Sequence, residues 1–401
     1  MNTKHILIIS AVFPPEPVVS ARLSMDLYNA LKEKGYSVKV LHPEPTRPCG
    51  FKFVDPDNQI GKDEITTTSF TCPKSSLFGR IRESVSFGKH CKRYIQDHYS
   101  DIMLVYDGAW PLFGQCSVAR ACVKHHIKYL TPVQDVYPES FSNKLPSFLG
   151  LIVQWLFMPM DKYILKHSNS IHVISTKMRN HLAATRNIPL ERFSVVMNWQ
   201  DETEFLEYQK HTDAKELQGK FIFMYLGNIG PVAGVDLLID AFELAKLKDA
   251  RLVIAGTGSM KESLKEKAKN NPNIKFWDVP NGKVPEIQSK ANVMMLPIKK
   301  GAASSSIPSK LPAYMFSAKP IIGSVDEDSD TAEAIQNAKC GVIVEPENAM
   351  ALSEKMIQFS KMGKNELESM GENGQAYALE HFSKSHNLKI LVETFEKLIR
   401  Q

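Results

Sequence analysis

The sequence predicts an α/β protein of two Rossmann-like domains, each built on a parallel sheet. Three observations carry that prediction. At 401 residues the chain exceeds the roughly 250–300 residues at which a single hydrophobic core stops growing. Short apolar runs alternate with helix-period segments along its length, as strands covered on both faces alternate with their crossover helices. A polar connector at 201–219 breaks the pattern, and an apolar run restarts directly after it.

Residues 5–10 (HILIIS) read as the first buried strand. The loop AVFPPEPVVS follows, and Ser20 is placed to cap a helix whose Leu23, Leu27 and Leu31 recur every four residues. Gly35 is placed to close that helix. Residues 37–41, 102–106, 129–133, 170–174 and 195–198 read as the later strands of a first domain spanning 1–200. After the connector, 221–226, 251–255, 274–277, 293–296, 320–323 and 342–344 read as six strands of a second domain, 201–382, with a helix at 235–247 among the intervening segments. The last stretch, 383–401, reads as a capped amphipathic helix with Leu388, Leu391, Val392, Phe395 and Leu398 on one stripe. It is expected to pack back on the first domain. Two such units leave a cleft, and ligands of open parallel sheets sit beyond the carboxyl ends of the strands.

Composition supports a globular enzyme: 43% apolar and 23% charged, with no Gly- or Pro-dominated tract and no repeat at solenoid period. Residues 1–200 hold 24 Lys and Arg against 16 Asp and Glu, a balance of +8, while 201–401 hold 25 against 28, a balance of −3. The positive half invites an anionic membrane surface, a lipid phosphate or a nucleic acid. No recognition helix, zinc spacing or RNP signature accompanies it, which sets nucleic acid aside. The six cysteines form no C-x-x-C pair and read as reduced thiols of a cytoplasmic protein. The opening apolar run is too short for a signal or a span.

Three loops could hold a phosphate group. Residues 302–317 (AASSSIPSKLPAYMFS) place a hydroxyl-rich loop before a helix beginning near Pro308 or Ser309. Amides at a helix start bind anions, Pro is tolerated there, and Lys310 adds charge. The same residues would equally suit a capped helix behind a polar loop. Gly227–Gly230 (GNIG) and Gly256–Gly258 (GTG) each follow a predicted strand, where glycine lets a phosphate approach the backbone. Each loop alone is an ordinary tight turn. Three at strand ends of one sheet point together to a diphosphate.

At these residues the chain resembles the family-four retaining glycosyltransferases of the GT-B fold. The resemblance runs through YLGNIGPVAGVDLLIDAF, RLVIAGTGSMKESL, IPSKLPAYMFSAKPIIGSV and CGVIVEP in the second domain. In the first it runs through FPPEPVVSARLSMDLYNALKEKGYSVKVL, QDVYPES and SVVMNW. The chain looks most like bacterial enzymes of capsule and O-antigen assembly of the L-fucosamine transferase type. The resemblance implies two parallel sheets facing across a cleft and a UDP-linked N-acetylated sugar as donor. The implied acceptor is a polyprenyl-diphosphate-linked glycan, and no metal or other cofactor is implied.

The resemblance also implies roles. Gly227 and Asn228 would lie by the diphosphate, and Gly256, Gly258, Trp277, Asp278 and Val279 would border the uridine. Ser305, Ser306, Ile307, Pro308, Ser309, Lys310 and Leu311 would hold diphosphate and ribose. Pro17, Val18, Val19 and Ser20 would line the acceptor side, as would Pro138 and Ser140. Asp135 and Glu139 would join Lys310 as catalytic groups, although Glu139 could instead cap the helix that follows it.

The chain departs from the family's pattern at several places. The two glutamates spaced eight apart are replaced by Ser305 and Ala313, and the Arg and Lys after the first glycine loop by Asn228 and Ala233. The glycine-rich first loop reads Val18, Val19, Ser20, and Gln134 stands where a His often precedes Asp135. Neutralising the leaving diphosphate therefore falls to Lys310 and the neighbouring helix start. Retention implies front-face attack, with a donor phosphate oxygen taking the acceptor proton.

The D-x-D pairs Asp55 with Asp57, Asp326 with Asp328 and Asp328 with Asp330 read as solvated turns rather than cation sites. A GT-B-fold UDP-sugar epimerase is the alternative activity, and it would need carboxylates and a histidine converging in the cleft. An oxidoreductase lacks its full G-x-G-x-x-G signature. Two segments invite a bilayer. Residues 74–94 are basic, with Leu77, Phe78, Ile81, Val85 and Phe87 interspersed, and suit the membrane surface. Residues 145–165 are apolar, but Pro159, Asp161 and Lys162 interrupt the run of about 20 that a span needs. They suit a core helix or an interfacial one equally. The chain is thus expected at the inner face of the cell membrane.

Overall fold

The computed structural model describes residues 4–47, 60–72, 76–143, 145–208, 217, 219–302 and 307–401. Asp55 and Asp57, Lys74, and the expected donor-site residues Ser305 and Ser306 lie outside the described residues.

The chain divides into two compact units, Met1–Asn198 with Asn387–Gln401, and Trp199–His386. The first is built on a seven-stranded sheet: β1 (His5–Ser10), β2 (Val38–Pro43), β3 (Glu64–Thr67), β4 (Ile102–Gly108), β5 (Lys128–Val133), β6 (Ser170–Val173) and β7 (Phe193–Val195). Their order is β3-β2-β1-β4-β5-β6-β7, and every pairing is parallel. All six residues of β1 are buried, as a strand with helices on both faces requires.

Helices α1 (Val19–Glu33), α2 (Leu77–His98), α3 (Phe113–Lys124), α4 (Glu139–Ser142), α5 (Ser147–His167) and α6 (Thr176–Arg186) make the connections. Phe87 and Cys91 of α2 and Cys116 and Val118 of α3 join Ile9, Val105 and Tyr129 in one apolar core. On the opposite face Tyr106 meets Phe395 of the last helix, α15 (Lys384–Arg400), at 5.9 Å. Lys128 Nζ donates to the Leu398 carbonyl at 2.9 Å.

The second unit has six parallel strands: β8 (Phe221–Leu226), β9 (Ala250–Ala255), β10 (Ile274–Trp277), β11 (Val293–Pro297), β12 (Ile321–Ser324) and β13 (Gly341–Val344), ordered β10-β9-β8-β11-β12-β13. Its helices are α7 (Thr203–Glu207), α8 (Val235–Ala245), α9 (Lys261–Ala268), α10 (Val284–Ser289), α11 (Lys310–Phe316), α12 (Asp330–Asn337), α13 (Ala349–Ser360) and α14 (Lys364–His381).

Several local expectations are corrected. Helix α1 begins at Val19 without a side-chain cap, so Ser20 lies inside it, its carbonyl accepting from Ser24 Oγ at 3.1 Å. Gly35 closes that helix at φ +85°. Strand β3 gives no apolar run, because its EITT sequence forms a half-buried sheet edge. Strand β7 pairs over Phe193–Val195, two residues earlier than its apolar sequence suggests. The connector contains α7, whose Phe205 packs on Phe316 at 5.9 Å. Helix α11 starts at Lys310, after Ser309 as an N-cap whose side chain makes no capping bond.

Candidate functional site

In the second unit the chain turns back on itself between β8 and β11, the topological switch point at which open sheets take ligands. The loop after β8 holds Gly227 and Asn228, and the loop after β11 leads into α11. Backbone bonds run on past the strand ends. The Gly227 amide donates to Ala255 at 3.0 Å, Ile229 to Thr257 at 2.8 Å and Gly256 to Trp277 at 3.0 Å. The loops after β8, β9 and β10 are thereby laced into one rim. Gly256 sits at φ +133°, and a Cβ there would strike the Gly227 carbonyl oxygen, so only glycine lets the two loops close.

Lys310 lies across this rim. Its aliphatic stem fills the space a Gly227 side chain would need, and its ammonium stands 5.6 Å from the centre of the Tyr225 ring. The Tyr225 hydroxyl donates to the Asn228 carbonyl at 2.6 Å and fixes that loop. The Tyr314 hydroxyl of α11 accepts from the Leu226 amide at 3.0 Å and donates to the Leu226 carbonyl at 2.8 Å. The end of β8 and the helix carrying Lys310 are thus held together. Burial lowers the Lys310 pKa below the usual lysine range, and among the described residues no carboxylate pairs with it. A half-desolvated cation without a counter-ion is poised to take an anion.

The remaining expected donor residues fall on the same edge. Ile307 and Pro308 are half-buried and Ser309 is exposed, while buried Leu311 spends its amide on the Pro308 carbonyl at 3.0 Å. Trp277 ends β10, with Asp278 exposed and Val279 half-buried after it. Gly258 follows β9 on the exposed side of the rim. Lys261 ties two of these loops, donating to the Gly256 carbonyl at 2.7 Å and to Asp278 at 2.6 Å. That bond lowers the Asp278 pKa.

In the first unit the switch point lies between β1 and β4. Exposed Pro17, half-buried Val18 and exposed Val19 and Ser20 lead from β1 into α1. Glu16 beside them is buried and accepts from the amides of Phe13, Thr46 and Arg47 at 3.1, 2.9 and 2.8 Å. Past the end of β5, Gln134 and Asp135 are exposed, Pro138 is buried, and Glu139 and Ser140 are half-buried. Glu139 begins α4, but its carboxylate does not cap the helix. Both oxygens accept from Arg186, at 2.6 and 2.7 Å. Desolvation would raise the Glu139 pKa, and the Arg186 bonds outweigh it and hold the group low. Arg186 reaches Asp161 at 2.7 Å and the Tyr137 carbonyl at 2.7 Å, so it clamps the Asp135 loop to α5.

Sequence reasoning passes over Arg186, Lys261, Tyr225 and Tyr314. Arg186 sits in an unremarkable HLAATRN segment, with partners 25 and 47 positions away. The Tyr314 partner lies 88 positions away. Among the described residues no three His, Cys, Asp or Glu side chains gather to hold a metal ion. Asp326 accepts from the Gly301 amide at 2.8 Å and serves a turn.

Residues 207–377 match the family model described as Glycosyl transferases group 1, which covers most of the second unit. A probable glycosyltransferase of Pseudomonas aeruginosa, WbjE, is 21% identical over 276 residues. That match takes in 65% of this chain and 66% of WbjE, just under two thirds of the relative's length. The structure of Anabaena HepE in complex with UDP superposes with a TM-score of 0.68 at 14% identity, covering 98% of this chain and all of HepE. WaaG, a glycosyltransferase involved in lipopolysaccharide biosynthesis, superposes at 0.61 and 15% identity, covering 96% of this chain and 98% of its own. The chain therefore has the α/β GT-B fold. WbjE and WaaG are glycosyltransferases by description, and neither is an epimerase.

Proposed function

We infer that this chain, whose second unit matches the group 1 glycosyltransferases, moves a sugar from a UDP-sugar onto a lipid-linked saccharide with retention at the anomeric carbon. The observation that carries the reading is Lys310, a half-desolvated ammonium beside Gly227 at the switch point of the second sheet, with no carboxylate paired to it among the described residues. Glycosyl transfer needs the charge of the departing diphosphate stabilised while the sugar becomes oxocarbenium-like. Lys310 supplies that charge at the carboxyl ends of β8 and β11, over the rim that the interlaced glycine loops form. UDP bound to HepE and the lipopolysaccharide role of WaaG support a UDP-sugar donor and a surface-polysaccharide acceptor.

In this reading Asp135 faces the sugar or the acceptor, and Glu139, held by Arg186, keeps the Asp135 loop in place. The donor sugar is an N-acetylated amino or deoxyamino sugar. The acceptor is a polyprenyl-diphosphate-linked glycan of capsule or O-antigen, met at the cytoplasmic face of the membrane, and no metal takes part. The test incubates the protein with UDP-sugars, with and without a lipid-diphosphate saccharide, in the presence of a chelator. Acceptor-dependent release of UDP that survives chelation supports the reading. Sugar interconversion without acceptor, or release that stops on chelation, counts against it.

A further inference from the structure

We propose that the first half of α5, together with the first turns of α2, is a surface that docks on an anionic lipid bilayer. Phe148, Leu151 and Trp155 are 73%, 66% and 78% exposed, and Leu149, Ile152 and Leu156 are exposed beside them. Their spacing of three, four and seven puts them on one face of the helix. A contiguous apolar face of this kind in open solvent marks an interaction site. Helix α5 is long and apolar enough to cross a membrane by length and composition, yet its second half belongs to the first unit. Asp161, Ile164 and Leu165 are buried, and the Ile164 carbonyl accepts from the Tyr129 hydroxyl at 2.7 Å. Such a helix lies in the interface rather than spanning the bilayer.

Charge selects the occupant. Residues 147–160 contain no charged residue at all. In the first turns of α2, Phe78 is 83% exposed, followed by exposed Arg80 and Arg82, and Ser84 Oγ accepts from the Gly114 amide of α3 at 2.9 Å, beside Phe113, which meets Phe157 of α5 at 5.4 Å. The loop containing Tyr137 leads into α4, which packs on α5: Gln154 Nε2 donates to Ser142 Oγ at 2.8 Å. The apolar face and the arginines therefore lie on helices that α3 joins within the first unit. Glu83 in the same stretch of α2 is buried and paired with Arg47 and Arg80, leaving no exposed acid among them. A second copy docking face to face would set arginine against arginine, whereas an anionic bilayer complements both the charge and the aromatic tips. Because Arg186 joins Asp161 of α5 to Glu139, docking holds the Asp135 loop at the lipid surface. The inference rests on the proposed lipid-linked acceptor for its purpose, but its test does not.

The experiment sediments the full chain with vesicles of phosphatidylcholine, alone or mixed with phosphatidylglycerol. Wild-type protein is expected to bind the anionic vesicles. The double variant Phe148→Ser with Trp155→Ser should lose at least about tenfold in partitioning, and Arg82→Gln roughly fivefold. Brominated lipid should quench the wild-type fluorescence more than that of Trp155→Phe. UDP-induced thermal stabilisation should be the same in all variants, which certifies folding. Unchanged vesicle binding by the double variant overturns the proposal, as does a wild-type dimer that this variant converts to monomer. Vesicle binding without any UDP effect sinks the transferase reading and leaves the docking surface standing.

Discussion

Replacing Arg186 with Met should destabilise the first unit by about 3–5 kcal/mol. The magnitude follows from how the guanidinium is spent. Arg186 is fully buried, and its five N–H groups are matched by five bonds of 2.6–2.7 Å. Two go to Glu139, one each to Asp161, Thr185 Oγ1 and the Tyr137 carbonyl. Removing the cation leaves Asp161 buried without its partner, and an uncompensated buried charge costs far more than the pair was worth. Arg186→Lys keeps the charge but not the fork, and should lose about 1–3 kcal/mol. The assay is urea unfolding followed by circular dichroism, reading the transition of the first unit, since a two-unit chain need not unfold in one step. UDP binding by the second unit should survive both variants. A loss below about 1 kcal/mol for Arg186→Met would refute the view that this network holds the Asp135 loop.

Lys310→Met should weaken UDP binding by about 10- to 100-fold in a calorimetric titration, the worth of one charge-assisted hydrogen bond. Partial burial lowers the pKa of this ammonium below the usual lysine range, so wild-type UDP affinity should fall on the alkaline side, and the variant should lose that pH dependence. Gly256→Ala places a Cβ against the Gly227 carbonyl at a strained φ. It should cost about 1–3 kcal/mol in the melting of the second unit and reduce UDP binding with it. Burial takes His172 from 6.5 down to about 3, and among the described residues neither ring nitrogen has a hydrogen-bond partner. The unfolded chain therefore takes up a proton that the native chain refuses. Stability should fall below pH 6.5 by up to about 1.4 kcal/mol per pH unit, until the native group titrates. A His172→Leu variant should flatten that slope in acid-unfolding curves.

Elements with continuous apolar runs were legible in the sequence because parallel strands covered on both faces leave no room for polar residues. The six strands of the second unit all stand within a residue or two of their expected bounds, and so does the closing helix with its Leu388 to Leu398 stripe. Strand β3 escaped because an edge strand is half-solvated, and EITT looks like loop. The glycine loops announced themselves, since Gly256 is a backbone requirement written as a residue. Lys310 drew notice only through the loop before it. What makes it a candidate for holding the diphosphate is its burial against Tyr225 and Gly227, and that is a tertiary fact. Residues 145–165 suited core and interface equally because hydropathy carries no direction. The structure resolves them into an exposed first half and an anchored second half, with Asp161 paired where the sequence showed only an interruption.

The most direct test of the account is a crystal structure of the protein grown with UDP. A phosphate oxygen within hydrogen-bond reach of Lys310 Nζ, at the carboxyl ends of β8 and β11, is the result predicted. UDP bound elsewhere, with the lysine still resting on Tyr225 and facing no anion, would contradict it.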